Sequence, residues 1–365
     1  MAAKSVQTSP HAMPFTEIGS YVPLAAGQRR LYDALREAVP LIDAGICKIL
    51  RLIGEFEIKA SDKNTEREIN SFLKNVRVNS TQLGAESFID GYLSQLLTYG
   101  NAVGEMVVHN GQIAALYNAS LDDVELKAAS PLEIQVLRRE SGKSVPVRYP
   151  QLVLCSALNP PPGSAAGVSI LHGLPFVSNI LLQIFNTIGV NWERLGNVRF
   201  AVTYKPPGDG EGMAYAKERA GQIASEWSRA MQKGSVSDFI SVGDVSIKAI
   251  GADSQILDSE VPVRQMLEQI VAKLGIPPFL LGLSWSSTER MSSQQADILT
   301  SELEAYRRLL NPVITKICSM WMRLAGRNAD FTIDWDDITL QDATELSTAR
   351  YQNARADKIL KDIGK

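Results

Sequence analysis

The chain has few residues with which to build a catalytic centre. Its three histidines are His11, His109 and His172, and none has a second ligand at a metal-binding spacing. The sequence contains no His-Glu-x-x-His motif and no Gly-x-Ser-x-Gly motif. The best carboxylate cluster is Asp334-Trp335-Asp336-Asp337, which has the oxygen ligands of a divalent-ion site but is also typical of a solvated strand end. We therefore predict no catalytic residue, no cofactor and no metal, and a protein that is not an enzyme.

Two glycine-containing segments could bind phosphate, but neither has the required context. Gly142-Lys143-Ser144 resembles the end of a phosphate-binding loop, yet Leu137 stands where the first glycine of that loop is needed. Pro146 follows where the phosphate-binding helix should begin. The second segment, Gly208 to Gly212, carries two acidic residues between its glycines, and these would repel phosphate. Both segments are predicted to be surface turns.

Composition and charge bound the class of protein. At 365 residues, with 45% hydrophobic and 21% charged residues, the chain can form two or more compact units with substantial cores. The net charge of -3 gives no global basic field for gripping DNA phosphates. There is no signal-like start and no run of eighteen apolar residues, so we expect a soluble protein without a membrane. Cys47, Cys155 and Cys318 have no paired spacing and are predicted to be buried thiols in a reducing compartment.

A hard stop between two helices is the most informative local pattern. In Gly275-Ile276-Pro277-Pro278 the prolines cannot continue a helix, so the preceding helix must end near Leu274. From Ser292 onward, apolar residues at three- and four-residue spacing predict one face of a long helix; they include Ile298, Leu299, Leu303, Tyr306, Leu310, Ile314 and Trp321. Pro312 lies inside this helix and predicts a kink. The loop in between is polar except for one tryptophan.

Periodicity and turn residues predict the remaining elements, and together they give an α+β fold. Helices are expected over Arg29–Ile53 with a break at Pro40, and over Glu66–Val76, Gln82–Thr98, Ser169–Leu195, Tyr215–Met231, Asp258–Leu274 and Leu340–Ile363. Strands are expected over Glu55–Ala60, Ala102–Val108, Gln112–Tyr117, Asp123–Lys127, Leu132–Arg138, Leu152–Cys155, Val198–Tyr204 and Phe331–Trp335. A hairpin is expected between Phe239–Val242 and Val245–Ile250 through Gly243-Asp244.

The order of several motifs resembles the portal proteins of tailed bacteriophages, in their compact HK97-like form. The motifs, none specific alone, are Tyr99-Gly100-Asn101-Ala102, Gly167-Val168-Ser169, Gly275-Ile276-Pro277-Pro278-x-Leu280-Leu281-Gly282, Ser292-Ser293-Gln294-Gln295 and Leu309-Leu310-Asn311-Pro312-Val313-Ile314. The resemblance covers roughly Leu31 to Ile338. It implies a portal fold with an α/β wing, a two-helix stem, a small α/β clip insertion and a long kinked wing helix.

The resemblance also implies domain bounds. They are a flexible arm (1–28), a first part of the wing (29–168), a stem helix (169–196), the clip (197–257), a second stem helix (258–276), a tunnel loop (277–291), a second part of the wing (292–339) and a C-terminal helix with at most a short crown (340–365). The helix stop is Gly275, Pro277 and Pro278. The DNA-facing residues of the loop would be Ser284, Trp285, Ser286, Ser287, Thr288, Glu289 and Arg290.

The function implied by the resemblance is a ring of twelve copies at one capsid vertex, through which double-stranded DNA is packaged and ejected. The implied partners are the large terminase subunit, the head–tail adaptor, the major capsid protein and its scaffold. The implied location is the virion, at the head–tail junction, after assembly in the host cytoplasm. Positive charges on the clip helix, at Lys217, Arg219, Arg229 and Lys233, could dock these partners or could simply be solvated.

Alternative interpretations stay open at this point. Trp285 either anchors its loop on a neighbouring helix or touches the DNA surface, and Arg290 either pairs with an adjacent subunit or meets phosphate transiently. A metal-dependent nucleic-acid-processing enzyme would need carboxylates converging on one site, for which only Asp334, Asp336 and Asp337 are suggestive. A third possibility is a capsid or adaptor interaction protein without a channel.

Overall fold

The computed structural model describes residues 24–130, 133–140, 142–196, 199–205, 218, 220–225, 244–250, 259–283 and 289–338. The chain divides into two compact units, the first formed by Met1–Ser178 with Met266–Lys365 and the second by Asn179–Gln265. The second unit is therefore an insertion in the first. No described helix is both long and apolar enough to cross a membrane.

The described helices and strands confirm the predicted α+β class. The helices are α1 (Leu24–Ala38), α2 (Pro40–Leu52), α3 (Lys63–Asn75), α4 (Ala85–Tyr99), α5 (Leu174–Gly196), α6 (Glu260–Leu274) and α7 (Glu289–Leu324). The strands are β1 (Phe56–Ala60), β2 (Arg77–Val78), β3 (Gln82–Leu83), β4 (Asn101–His109), β5 (Gln112–Asn118), β6 (Val124–Ser130), β7 (Glu133–Glu140), β8 (Lys143–Pro146), β9 (Val153–Ala157), β10 (Arg199–Lys205), β11 (Asp244–Ile250) and β12 (Phe331–Trp335).

The core of the first unit is α4 packed on a five-stranded sheet. The strand order is β3-β2-β5-β4-β9, and all but the last two residues of the central strand β4 are buried. Phe88, Tyr92 and Leu96 of α4 are completely buried. A second, three-stranded sheet has the order β6-β7-β8, and its Val124 and Val136 belong to the same apolar cluster as Val103 of β4.

A two-stranded sheet joins the beginning and the end of the first unit. β1 pairs with β12 in antiparallel register, with Ile58 opposite Ile333. Phe56 packs its ring 5.1 Å from that of Trp335. The long helix α7 contacts this sheet, α3 and β9, and buries a stripe that includes Leu299, Leu303, Leu310, Ile314 and Ile317.

In the second unit, β10 and β11 form an antiparallel pair from Arg199 opposite Ile250 to Lys205 opposite Asp244. The predicted hairpin is therefore corrected, because Asp244 begins a strand rather than occupying a turn. The proposed partner segment, 239–242, lies outside the described residues. Residues 220–225 of the predicted helix Tyr215–Met231 are helical.

Several helix bounds also differ from the predictions. Helix α5 begins at Leu174 rather than Ser169, because Gly173 has a positive φ of 90° and Pro175 fits the first helical turn. Ile298 was placed on the buried face of α7, but 63% of its surface is exposed. Helix α7 continues through Pro312, and the kink there stays a prediction. The predicted helix over 340–363 lies outside the described residues.

Candidate functional site at the joint before the long helix

The predicted helix stop is confirmed, and two glycines frame it. Helix α6 ends at Leu274, and Gly275 follows with a φ of +68° while donating its N–H to Val271 O at 3.1 Å. Pro277 is extended, and Pro278–Leu281 form one 3-10 turn. Gly282 then has a φ of +76°. Left-handed backbone at both ends favours glycine, so the joint is a compact, defined reversal of the chain.

The joint is seated on α2. Ile276 is 2% exposed and Leu274 is 4% exposed. A Cβ atom added to Gly45 of α2 would lie 2.8 Å from Leu274 Cδ1 and 3.2 Å from Ile276 Cδ1. The absence of a side chain at Gly45 thus lets the joint approach the α2 backbone closely.

The predicted DNA-facing loop lies only partly within the described chain. Residues 284–288, which include Trp285, are outside it. Glu289 and Arg290 were placed in the loop, but they are in the first turn of α7, which begins three residues earlier than the predicted Ser292. The orientation of these side chains toward a channel stays a prediction. The four basic clip residues, Lys217, Arg219, Arg229 and Lys233, also lie outside the described residues.

Arg307 anchors α7, and the sequence reasoning missed it. The side chain is 5% exposed. Its Nε and Nη2 atoms donate to Ile53 O at 2.9 and 2.7 Å, and Nη2 also donates to Asp336 O at 2.7 Å. The guanidinium lies 5.0 Å from the ring centre of Trp335 and 3.6 Å from Glu304. Burial lowers the pKa of Arg307, but a guanidinium stays charged, so α7 is fixed by a cation to the end of α2.

A sequence signal for Arg307 did exist. Arg307 lies on the apolar stripe of α7, four residues after Leu303 and three before Leu310, both of which are completely buried. A cation at such a position must find acceptors when the stripe is buried. Gly54, with a φ of +80°, leaves room for it, because a Cβ there would lie 2.7 Å from Arg307 Nη2.

Two of the motifs that carried the resemblance pack directly on each other. Asn101 donates its Nδ2 to Ala165 O at 3.1 Å and accepts the Gly167 N–H at 2.9 Å. Ser169 donates its hydroxyl to Thr98 O at 2.7 Å. A Cβ on Gly100 would lie 2.7 Å from the carbonyl carbon and oxygen of Gly167. These residue types are therefore required by one backbone crossing far apart in sequence.

The other candidate chemistry finds little support in the described residues. Within them, no three His, Cys, Asp or Glu side chains lie close enough to hold a metal ion. Gly142-Lys143-Ser144 forms the turn into β8, which confirms a surface turn. The cysteine prediction is partly wrong, since only Cys318 is buried, whereas Cys47 and Cys155 are half-buried.

Helix α5 presents large apolar side chains to solvent. The stretch from Leu174 to Trp192 has no charged residue. Phe185 is 47% exposed, Trp192 is 65% exposed, and Leu182 one turn earlier is also exposed. These three residues and Gly189 lie on one side of the helix, and Gly189 has open space where a Cβ would stand. We call this surface the α5 apolar face.

A scan against protein-family models finds no match, and a search of the curated proteins finds none. Solved structures do match. A chain of the native gene transfer agent virion aligns with 92% of this chain and 89% of its own, at a TM-score of 0.65 and 16% identity. A chain from the neck of the native particle, computed with C12 symmetry, aligns with 88% of this chain and 89% of its own, at 0.58 and 18%.

An HK97 family phage portal protein from Corynebacterium diphtheriae aligns over 83% of this chain and 95% of its own, at a TM-score of 0.47 and 11% identity. A likeness of that strength carries no argument. The matches to the gene transfer agent particle are stronger and span nearly the whole of both chains. The protein therefore has the fold of a chain that forms part of the gene transfer agent virion and its neck.

Proposed function

We propose that this protein is a portal protein, which forms a ring at one capsid vertex and gives double-stranded DNA its channel during packaging and ejection. The observation that carries the proposal is the near full-length fold match to a chain of a particle neck with C12 symmetry. That symmetry favours a ring of twelve copies here. In this proposal the protein is a structural component of the virion and not an enzyme.

The α5 apolar face supports assembly. Contiguous exposed apolar surface marks interaction sites in soluble proteins. In a cyclic ring each interface is heterologous, so one surface of a subunit meets a different surface of its neighbour. We assign the α5 apolar face to one side of that interface.

The charge of the chain agrees with a channel that does not hold DNA tightly. Each phosphate neutralised by Lys or Arg adds affinity that resists sliding, and the net charge of this chain is -3. The loop over Ser284–Arg290 is proposed to line the channel. The large terminase subunit, the head–tail adaptor, the capsid protein and its scaffold are the proposed partners, with assembly in the host cytoplasm, and the basic residues from Lys217 to Lys233 are the proposed docking positions for the terminase and the adaptor.

Electron microscopy and mass photometry of the purified protein test the proposal. We expect rings with an axial hole and about twelve chain masses. Phe185→Glu places a charge in the α5 apolar face and should shift the protein toward single chains, whereas Gln183→Glu, on the opposite side of the same helix, should leave rings intact. A wild-type protein that stays monomeric at all concentrations and cleaves DNA in a metal-dependent reaction would refute the portal function.

A further inference from the structure

The two outer edges of the β1–β12 sheet differ in how their backbone groups are satisfied. On β1, the Asn70 side chain accepts the Ile58 N–H at 2.9 Å and donates to Ile58 O at 2.8 Å. Glu66 accepts the Ala60 N–H at 2.9 Å. Side chains of α3 therefore close this edge, as native proteins commonly do with exposed strands.

The outer edge of β12 has no such closure. In an antiparallel pair, the peptide groups of successive residues point alternately toward and away from the partner strand. Ile58 turns its N–H and C=O outward to Asn70, so the residue opposite it, Ile333, also turns its groups outward. The same alternation applies to Phe331 and Trp335. No described residue bonds these outward backbone groups.

A groove lies beside the open edge. It has a volume of about 440 Å³ and is lined by Asn311 and Thr315 of α7 and by residues 329–333. No β1 residue lines it, so the groove is on the outer side of β12. Side chains of an added strand would enter this space, and two-stranded sheets gain stability when a third strand joins them.

We propose that an extended segment of a second copy of this chain pairs with β12 and fills this groove. The inference rests on the proposed ring, which places neighbouring copies side by side. An open strand edge is a template for pairing with another chain. Because ring interfaces are heterologous, β12 cannot pair with β12 of the neighbour, so the donor is a different segment.

Hydrogen exchange, read at single residues, tests the pairing on wild-type protein. Rings and dilute single chains would be separated by size and exchanged in parallel. We expect the amides of Phe331, Ile333 and Trp335 to exchange on the order of 100-fold more slowly in rings than in single chains. The amides of Thr332 and Asp334 face β1 and serve as internal controls that are protected in both fractions.

A variant tests the same point independently. Ile333→Pro removes an outward N–H, which an exposed strand edge tolerates, and should weaken ring association on the order of 10-fold; Ile333→Val keeps the N–H and should not. If the proline variant does not fold, the exchange measurement still decides. Equal rates of the three amides in rings and single chains would overturn the inference while the portal function stands. The failure of wild-type protein to form rings would instead overturn the proposed function.

Discussion

Replacing Arg307 by methionine is expected to destabilise the protein by about 3 kcal/mol. The change removes three hydrogen bonds from one guanidinium to two carbonyl oxygens, those of Ile53 and Asp336. Bonds to charged groups contribute about 1.5–3 kcal/mol each, and an acceptor left buried costs about 1–3 kcal/mol. Methionine keeps much of the apolar packing in the stem of the side chain, so the net loss is smaller than the sum of these contributions.

The measurement is urea unfolding followed by tryptophan fluorescence, because Trp335 lies 5.0 Å from the guanidinium. Arg308→Met is the matched control, since Arg308 is the adjacent residue, is exposed and loses the same charge. Its effect should stay below about 0.5 kcal/mol. Arg307→Lys should fall between the two, because an ammonium cannot reproduce the planar fork. All variants are compared at one protein concentration, since assembly shifts apparent stability. Equal unfolding midpoints for the two methionine variants would refute the role of Arg307.

Gly100→Ala should lower stability by about 2 kcal/mol or more, since it adds a backbone clash at 2.7 Å to a positive φ, whereas Gly111→Ala, with open space, should cost about 1 kcal/mol in the same urea assay. Asp62 caps α3, and its bonds to Thr65 hold its pKa below the ordinary value, so its stabilising effect should be present above the unfolded pKa and be lost as the pH falls through the folded one. A stability difference between wild type and Asp62→Asn that persists at the lowest pH would contradict this. In native protein, mass spectrometry after thiol labelling should find Cys47 modified before Cys318, because Cys318 is fully buried and burial raises its pKa to about 12; prior labelling of Cys318 would show that its site opens.

Local patterns in the sequence predict much of the fold. The strand Phe331–Trp335 has the predicted bounds, Pro40 begins α2 as expected, and the glycine and proline pattern fixes the end of α6 at Leu274. In each case the determining chemistry lies within a few residues, through backbone restriction or alternating burial.

The failures have long-range causes or subtle local ones. The contact between Gly100 and Gly167, and the bond from Arg307 to Ile53 over 254 positions, depend on chain crossings that periodicity does not reveal. The start of α7 at Glu289 was missed because the amphipathic pattern begins later than the helix does. The Ser-Thr-Glu sequence at 287–289 has the residue types that begin helices.

Both sides of the loop at 284–288 are referred to one element, α2. The incoming side is held at Gly45, against which Leu274 and Ile276 pack. The outgoing side is held where Arg307 bonds the carbonyl of Ile53, just past the end of α2. Between Glu289 and Arg307 the helix spans about 27 Å at 1.5 Å per residue, so a small rotation at Arg307 becomes a larger displacement at the loop. Helix α2 contributes no residue to the loop, yet it sets the positions of the two elements between which the loop must lie.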